Sequence, residues 1–273
     1  MSLVVAIKHK NRFILGADKQ ASLWNNKQHT ATKVWRTIEY KNCCIGSVGL
    51  ARASQVIQYI KGLLDVAGFG KDQLDEDFNH LQLPRTLYET LKMHGVIAEN
   101  SAEPFYLPNE FFIAYKDRCW QICQDLSVNE IEEYEAIGSG ADIAAGVIET
   151  ALLYKEKNPF AIIAHAIDIA AEKTLYVDHE IDFVATADDK NDIVMQAQAF
   201  GYDTTLLKQA ITKDGKVDLE KLNKLTEEYE EEVIDKSKDT KQPKQSDFDN
   251  EELAEPAKKP AKKKKAKSKA KAE

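Results

Sequence analysis

Short apolar stretches separated by polar turns characterise the first fifty residues. The segments LVVAI (3–7) and RFILGA (12–17) predict two strands, and the polar KHKN between them predicts a tight turn. KVWRTIEY (33–40) and NCCIGSVG (42–49) predict a second pair of strands. The pattern therefore predicts that the chain begins with a β-hairpin.

Helical periodicity begins after residue 50. In ARASQVIQYIKGLLDVAG (51–68), apolar residues recur at positions 56, 57, 60, 63, 64 and 67, which predicts a helix ending near residues 68–70. A second helix is predicted from Pro84 to about His94, because Pro84 stands at a start position and Gly95 at a stop.

The next hundred residues repeat this order. FFIAY (111–115), RCWQICQ (118–124) and YEAIG (134–138) predict strands. GADIAAGVIETALLYK and PFAIIAHAIDIAAEKTLY then predict two strongly apolar helices, separated at Pro159. Strands followed by helices, twice over, favour sheets with helices outside them and not alternating βαβ units. We therefore predict a layered α+β architecture.

The pattern changes after about residue 190. DIVMQAQAFGY and LEKLNKLTEEYEEEVI predict amphipathic helices, whereas residues 236–273 are almost free of large apolar side chains. Such a segment buries too little apolar surface to offset the entropy of ordering, so it is predicted to be disordered. The predicted organisation is a domain over 1–190, a helical extension over 191–235 and a tail over 236–273.

Charge is distributed unevenly along the chain. Residues 257–273 contain nine lysines and one glutamate, although the net charge of all 273 residues is −8. The stretch from Lys258 to Lys271 is typical of segments that contact phosphates without reading sequence, which indicates a possible nucleic-acid or acidic partner. A solvating tail, or one that folds back on the acidic run EEYEEEVID, explains the composition equally.

Several classes of site and location are disfavoured. The first residues lack the pattern of a secretory signal, and no apolar run approaches the roughly 18 residues of a membrane span, so we expect a cytoplasmic protein without membrane contact. Cys43, Cys44, Cys119 and Cys123 lack C-x-x-C spacing and are predicted to be reduced core thiols. DHEID and DDKND offer oxygen ligands for a cation without EF-hand spacing, so solvated loops are favoured and neither metal nor cofactor is predicted.

The candidate chemistry begins with Ser2. If Met1 is removed, Ser2 offers a hydroxyl nucleophile and its own α-amine, whose unperturbed pKa of about 8 suits a general base. Lys33 beside it would favour the neutral amine, and Asp18 would hold that lysine charged and oriented. Each residue alone is also explained by ordinary processing or solvation.

Two glycine turns follow apolar strands and precede predicted helices. Gly49 lies in IGSVGLARA, and Gly138, Ser139 and Gly140 lie in AIGSGAD. Turns of this kind expose backbone N–H groups that bind anions and oxyanions, although tight packing of strand against helix is the simpler explanation. Neither turn matches a phosphate-binding glycine motif.

Taken together, these segments resemble a known family. SLVVAIKHKNRFILGADKQAS, TKVW, GSVGLARA, AIGSGADIAAGVIETALL and AIDIAAEKTLYVDH resemble, in order and approximate spacing, the β-subunits of proteasomes and their bacterial relative HslV. These proteins are N-terminal-nucleophile hydrolases, and the resemblance covers about residues 2–185. It implies a four-layer αββα sandwich of two mainly antiparallel sheets flanked by helices.

The resemblance also implies roles for individual residues. Ser2 matches the catalytic threonine, and Asp18 and Lys33 match the aspartate and lysine of the active site. Gly49 matches the glycine of the oxyanion hole, Ser139 matches the serine of the GSG turn, and Asp178 matches the residue near the amino group. The chain departs from the family at Ser2, which lacks the methyl group that restrains threonine, and at Ile181, where the family has a further serine.

The implied activity is that of a self-compartmentalised, threonine-type endopeptidase with serine in place of threonine. The resemblance implies a polypeptide substrate, a homo-oligomeric ring and an ATP-dependent unfoldase partner, with only Met1 to be removed. A non-catalytic structural or scaffold subunit, a small-molecule amidase and a nucleic-acid-associated protein acting through the lysine tail remain alternatives.

Overall fold

The computed structural model describes residues 2–23, 26–28, 31–66, 78–97, 106–202, 204–212, 217–218, 221–226 and 228. Contacts divide the chain into a compact unit, Met1–Leu225, and a second unit, Thr226–Glu273. The predicted disordered tail over 236–273, with its lysine-rich end, lies outside the described residues.

Eleven strands and seven α-helices are found in the described part of the chain. The strands are β1 (Leu3–His9), β2 (Arg12–Asp18), β3 (Ala21–Leu23), β4 (Asn26–Gln28), β5 (Val34–Arg36), β6 (Cys43–Gly49), β7 (Asn109–Tyr115), β8 (Arg118–Ile122), β9 (Val128–Glu130), β10 (Tyr134–Gly138) and β11 (Ile181–Ala185). The helices are α1 (Ala51–Tyr59), α2 (Leu63–Val66), α3 (Leu83–Met93), α4 (Ala141–Leu153), α5 (Pro159–Lys173), α6 (Asp192–Ala199) and α7 (Thr205–Ala210). A π-helical turn, Phe78–Gln82, precedes α3.

The strands form two antiparallel sheets and one short hairpin. The first sheet has the order β10-β1-β2-β11, and the second has the order β5-β6-β7-β8-β9. β3 and β4 form the separate hairpin. The predicted N-terminal hairpin is therefore the centre of the first sheet.

Strand β1 shows why the sheets become the inner layers. Leu3, Val5 and Ile7 pack in one core cluster with residues of α4 and α5. Val4 and Ala6 pack in another cluster, which also contains Phe112 and Ala114 of the second sheet. Because both faces of β1 are covered, its sequence is continuously apolar and does not alternate with polar residues.

The second sheet is covered on its outer face by α1 and α3. Ile45, Phe111 and Ile113 share a core cluster with Val56 of α1 and with Leu87 of α3. Helices, sheet, sheet and helices thus follow one another, which confirms the predicted αββα sandwich.

The two sheets approach each other closely at Gly46. A Cβ on this residue would lie 2.8 Å from Val4 Cγ1 and 3.3 Å from Leu15 Cδ2, both in the opposite sheet. These distances are shorter than ordinary carbon–carbon contacts, so a side chain at position 46 would push the sheets apart. This close approach brings the end of β6 next to the first sheet.

The helix predicted over 51–68 is interrupted in the structure. α1 ends at Tyr59 and α2 begins at Leu63, with Gly62 between them at φ +74°. The backbone N–H of Gly62 donates to Glu39 Oε1 at 2.8 Å. The apolar periodicity continued through this break, because both helical segments bury residues in the same core cluster.

Strand β11 was missed in the sequence because it begins within the acidic segment DHEID. Its first residues, Ile181 and Asp182, pair with Asp18 and Ala17 of β2. The Asp182 carboxylate lies 3.0 Å from Lys19 Nζ, and this salt bridge balances the negative charge of Asp182 within the sheet. Residues 181–182 are therefore part of the sheet and not of a loop.

The acidic segment DDKND makes salt bridges to two arginines of the domain. Asp188 pairs with Arg36, and Asp192 makes a bidentate salt bridge with the largely buried Arg12. These contacts attach the start of α6 to β2.

No helix among the described residues is long and apolar enough to cross a membrane.

Candidate active site

A single buried carboxylate, that of Asp18, connects four separate parts of the chain. Its Oδ1 accepts hydrogen bonds from the backbone N–H of Leu3 (2.8 Å) and from Lys33 Nζ (2.7 Å). Its Oδ2 accepts from the backbone N–H groups of Gln20 (3.0 Å) and Asp178 (3.3 Å). Asp18 is fully buried, so these four donors compensate for the hydration that it has lost.

The position of Asp18 follows from strand register. It is the last residue of β2, and its neighbour Ala17 pairs with Val4 on one side and with Asp182 on the other. The carboxylate therefore lies where the beginnings of β1 and β11 meet the end of β2. N–H groups at such strand ends lack ladder partners, and an anionic acceptor satisfies them.

Lys33 lies just before β5 and is also buried, with 6% of its side chain exposed. Its backbone carbonyl accepts a hydrogen bond from Ser47 N–H in β6 at 2.9 Å. Burial lowers the pKa of Lys33 below its ordinary value, and the nearby Asp18 carboxylate opposes that change. The pair is thus a buried ion pair whose lysine gives up its proton more readily than a solvated one.

Ser2 is held through the peptide bond that follows it. Its carbonyl oxygen accepts from Ser139 N–H at 2.9 Å and from Ser139 Oγ at 3.4 Å. The N–H group of the same peptide unit belongs to Leu3 and donates to Asp18. Two of the predicted site residues, Asp18 and Ser139, therefore fix this peptide unit from opposite sides, and Ser2 itself is 7% exposed.

Gly138 allows this contact because it has no side chain. Its φ is +106°, and a Cβ there would lie 2.0 Å from the carbonyl oxygen of Ser2. The same Cβ would lie 3.3 Å from Val48 Cγ1 of β6. Gly138 thus places Ser2, the Ser139 turn and the end of β6 against one another.

Gly49 is the last residue of β6 and has φ +127°. Along an antiparallel strand, N–H groups alternate between the two neighbouring strands. Ser47 N–H donates to Lys33 at the β5 side, so the N–H of Gly49, two residues further, faces the same side. Because β5 begins at Val34, which pairs with Gly46, the strand does not extend as far as Gly49. The N–H of Gly49 therefore faces the side on which Lys33 lies.

Asp178 reaches the site through its backbone. Its N–H donates to Asp18, whereas its own Oδ1 accepts from the N–H of His179 at 2.7 Å. The Asp178 charge nevertheless acts on Lys33 and raises the pKa of that lysine, against the effect of burial. Ile181 pairs with Asp18 in the sheet.

Two buried polar residues at this end of the molecule were not predicted. Gln20 follows Asp18, is 2% exposed, and donates from Nε2 to the carbonyl of Leu175 at 3.1 Å. Asn109 is fully buried and contacts the turn at Gly49 and Leu50. In each case the sequence offered one signal, a polar residue next to an apolar strand. The residue that it contacts, Leu175 or Leu50, lies far away in the sequence.

Among the described residues, no group of three or more His, Cys, Asp or Glu side chains is arranged to hold a metal ion.

Comparison with solved structures finds several similar chains. The structure of Thiobacillus denitrificans BPH matches with a TM-score of 0.53 and 18% sequence identity, covering 68% of this chain and 100% of that one. A structure of the same protein in complex with epoxomicin matches with a TM-score of 0.52 and 17% identity, covering 67% and 97%. The crystal structure of eukaryotic HslV from Trypanosoma brucei matches with a TM-score of 0.49 and 18% identity, covering 67% and 98%.

At these identities the likeness establishes the fold. The family resemblance in the sequence is confirmed at the level of that fold. No protein-family model matches the chain, and no curated protein sequence matches it.

Replacing Asp18 by asparagine should strongly destabilise the protein. The change removes the counter-charge of buried Lys33, and loss of one partner of a buried ion pair costs about 3–5 kcal/mol. Asp182→Asn is the matched control, because its salt bridge with Lys19 is about one-third exposed on both sides and is worth at most about 1 kcal/mol. Urea denaturation measures both free energies of unfolding. Equal losses in the two variants would contradict the central role of Asp18.

Lys33 should make stability depend on alkaline pH. Its pKa is lower in the folded state than its ordinary value of 10.5, so the unfolded chain binds more protons in the interval between the two values. The free energy of unfolding contributed by this group therefore rises as pH increases through that interval. Lys33→Met should remove this positive slope in urea denaturation measured from neutral pH to about 10.5. An unchanged slope would show that Lys33 titrates as a solvated lysine.

Proposed function

We propose that the protein is a peptidase of the proteasome and HslV type, with Ser2 as its N-terminal nucleophile after removal of Met1. The observation that carries the proposal is the fixation of the Ser2–Leu3 peptide unit by Asp18 and Ser139, with Lys33 on the same Asp18 carboxylate. The αββα fold shared with BPH, a protein solved in complex with epoxomicin, supports it.

In the first step, Ser2 Oγ attacks the carbonyl carbon of the scissile peptide bond. The hydroxyl proton passes to the α-amine of Ser2, directly or through water, and the carbonyl oxygen becomes an oxyanion. The N–H of Gly49 donates to that oxyanion. Collapse of the tetrahedral intermediate breaks the C–N bond, the protonated amine donates its proton to the leaving nitrogen, and an acyl ester remains on Ser2.

In the second step, water hydrolyses the ester. The α-amine accepts a proton from the attacking water and passes it to Ser2 Oγ as the ester C–O bond breaks, which releases the acid product and restores Ser2. The base must therefore be a free amine, because an amide nitrogen has no usable lone pair. Retention of Met1 would convert the α-amine of Ser2 into such an amide.

Lys33 and Asp18 set the electrostatics of these steps. A cation close to the α-amine lowers the pKa of that amine and stabilises developing negative charge on Oγ and on the oxyanion. Asp18 holds Lys33 in place through the 2.7 Å hydrogen bond and also holds Leu3 N–H. One carboxylate thus orients both the cation and the strand that carries the nucleophile.

We also propose a substrate class, an assembly, a partner and a location for the enzyme. The resemblance of its motifs to HslV favours polypeptide substrates, a homo-oligomeric ring that encloses the sites, an ATP-dependent unfoldase partner and a cytoplasmic location. A ring would restrict access to the site and so confine hydrolysis to unfolded chains.

A non-catalytic subunit of the same fold is the second candidate. Ile181 favours it, because this residue supplies no hydroxyl where the family has a serine, so a proton relay through that position is missing. Ser2 also lacks the methyl group that restrains threonine. In this alternative the contacts of Asp18 and Lys33 serve only the stability of the fold.

Epoxomicin tests the two candidates directly. As a peptide epoxyketone, it reacts with a hydroxyl and with a free α-amine on the same residue, so we expect one covalent adduct per chain, located on Ser2 by peptide mass spectrometry. Ser2→Ala should form no adduct. Ser127→Ala, in the exposed turn between β8 and β9, is the matched serine control and should react like the wild type. A wild-type protein that remains unlabelled would overturn the peptidase proposal.

A further inference from the structure

We propose that Asn109 is a positioning residue that fixes the oxyanion-binding turn at Gly49 and Leu50. This inference rests on the proposed function, in which the N–H of Gly49 donates to the oxyanion. Asn109 is the first residue of β7 and lies opposite Gly49 in the register of β6 and β7. Nothing in the sequence motifs assigns it a role.

The side-chain amide of Asn109 makes a reciprocal pair of hydrogen bonds with the backbone of Leu50. Leu50 N–H donates to Asn109 Oδ1 at 2.9 Å, and Asn109 Nδ2 donates to the carbonyl of Leu50 at 3.2 Å. The amide thus satisfies both backbone groups of one residue. Asn109 itself is fully buried, so its side-chain amide depends on the protein for its hydrogen bonds.

Two hydroxyl groups hold the amide in this orientation. Asn109 Nδ2 also lies 2.9 Å from Ser47 Oγ and 3.2 Å from Ser54 Oγ, and those two oxygens are 3.0 Å apart. Ser47 lies on β6 and Ser54 on α1, so the amide joins the strand before the turn to the helix after it. The assignment of the amide oxygen and nitrogen follows from this network, since only the nitrogen can donate to the Leu50 carbonyl.

The backbone hydrogen bonds of the turn itself reach the carbonyl of Leu50, which accepts from the N–H groups of Ala53 (3.0 Å) and Ser54 (3.3 Å). Leu50 is the N-cap of α1 and makes no side-chain capping hydrogen bond. Gly49 has the conformational freedom of glycine and stands at φ +127°. An oxyanion donor must be held within a fraction of an ångström of its productive position. Asn109 supplies that restraint from the neighbouring strand.

Close packing reinforces the link between Gly49 and Asn109. A Cβ on Gly49 would lie 2.5 Å from the carbonyl oxygen of Pro108, 2.8 Å from Asn109 Cγ and 2.9 Å from Asn109 Cα. The backbone of Gly49 therefore rests directly on Asn109. A change in the amide group of Asn109 would move the glycine as well as Leu50.

The test compares Asn109→Asp with Asn129→Asp in the full-length protein. Asn109→Asp keeps the size and one acceptor but loses the donor to the Leu50 carbonyl, whereas Asn129 is exposed on β9 and is the matched control. We expect kcat on a peptide substrate to fall about 10–100-fold in Asn109→Asp, with KM within about twofold, because loss of a complete oxyanion donor costs about 100–1,000-fold. Asn129→Asp should match the wild type.

Two readouts separate positioning from simple structural damage. A peptide boronate mimics the tetrahedral intermediate. The affinity of the variant for it should fall by the same factor as kcat, although KM changes little. The activity ratio of Asn109→Asp to wild type should rise as pH falls, because a protonated carboxyl again donates to the Leu50 carbonyl. A uniform loss at every pH with unchanged boronate affinity would overturn the inference.

Failure of this inference is distinguishable from failure of the proposed function. A wild-type protein without peptidase activity or boronate binding would refute the function, whereas an active wild type with an equally active Asn109→Asp variant would refute only the role of Asn109. If the variant does not fold, amide hydrogen exchange of the wild type still decides. Leu50 N–H should be protected like the core strands, and exchange at the rate of an exposed loop would overturn the inference.

Discussion

The buried carboxylate of Asp18 is the interaction on which the rest of the site depends. Four hydrogen bonds reach it from the start of β1, from Gln20 two residues after β2, from the segment before β5 and from the loop before β11. Three of the donors are backbone N–H groups at or near the ends of strands, where the sheet leaves such groups without partners, and the fourth is the ammonium group of Lys33. A neutral side chain would satisfy some of these donors but would leave the charge of Lys33 buried without a counter-ion. The same carboxylate therefore fixes the ends of the first sheet and the cation of the proposed mechanism.

Close approaches between backbone segments bring the other residues to this point. The two sheets meet at Gly46, and Gly138 allows the carbonyl of Ser2 to contact the turn that carries Ser139. The end of β6, with Gly49, lies next to both because Val48 packs beside Gly138. The sandwich thus places Ser2, the proposed nucleophile, near Gly49 of the other sheet, the proposed oxyanion donor. In our further proposal, Asn109 restrains the turn that carries Gly49 through two hydrogen bonds to Leu50.

Most of the fold could be predicted from periodicity, whereas only part of the site could. The apolar runs of β1 and β2 and the helices α4 and α5 are long and regular, so their patterns identified them. β11 was missed because its strand begins within an acidic segment, in which the charge of Asp182 is balanced by Lys19, just after β2. Asn109 and Gln20 were missed for a related reason. A single polar residue beside an apolar strand carries no periodic signal, and the partner of Asn109 lies 59 residues away.

The mechanism requires that Ser2 carries a free α-amine, and the mature N-terminus tests this most directly. Periodate cleaves a 1,2-amino alcohol only when the serine is the first residue and its amine is free, converting that residue to a glyoxylyl group. The purified protein, treated with periodate under denaturing conditions and followed by intact-mass spectrometry, should show complete loss of Met1 and complete oxidation at Ser2. A chain that retains Met1, or any other acyl group on the Ser2 nitrogen, and resists periodate would contradict the account.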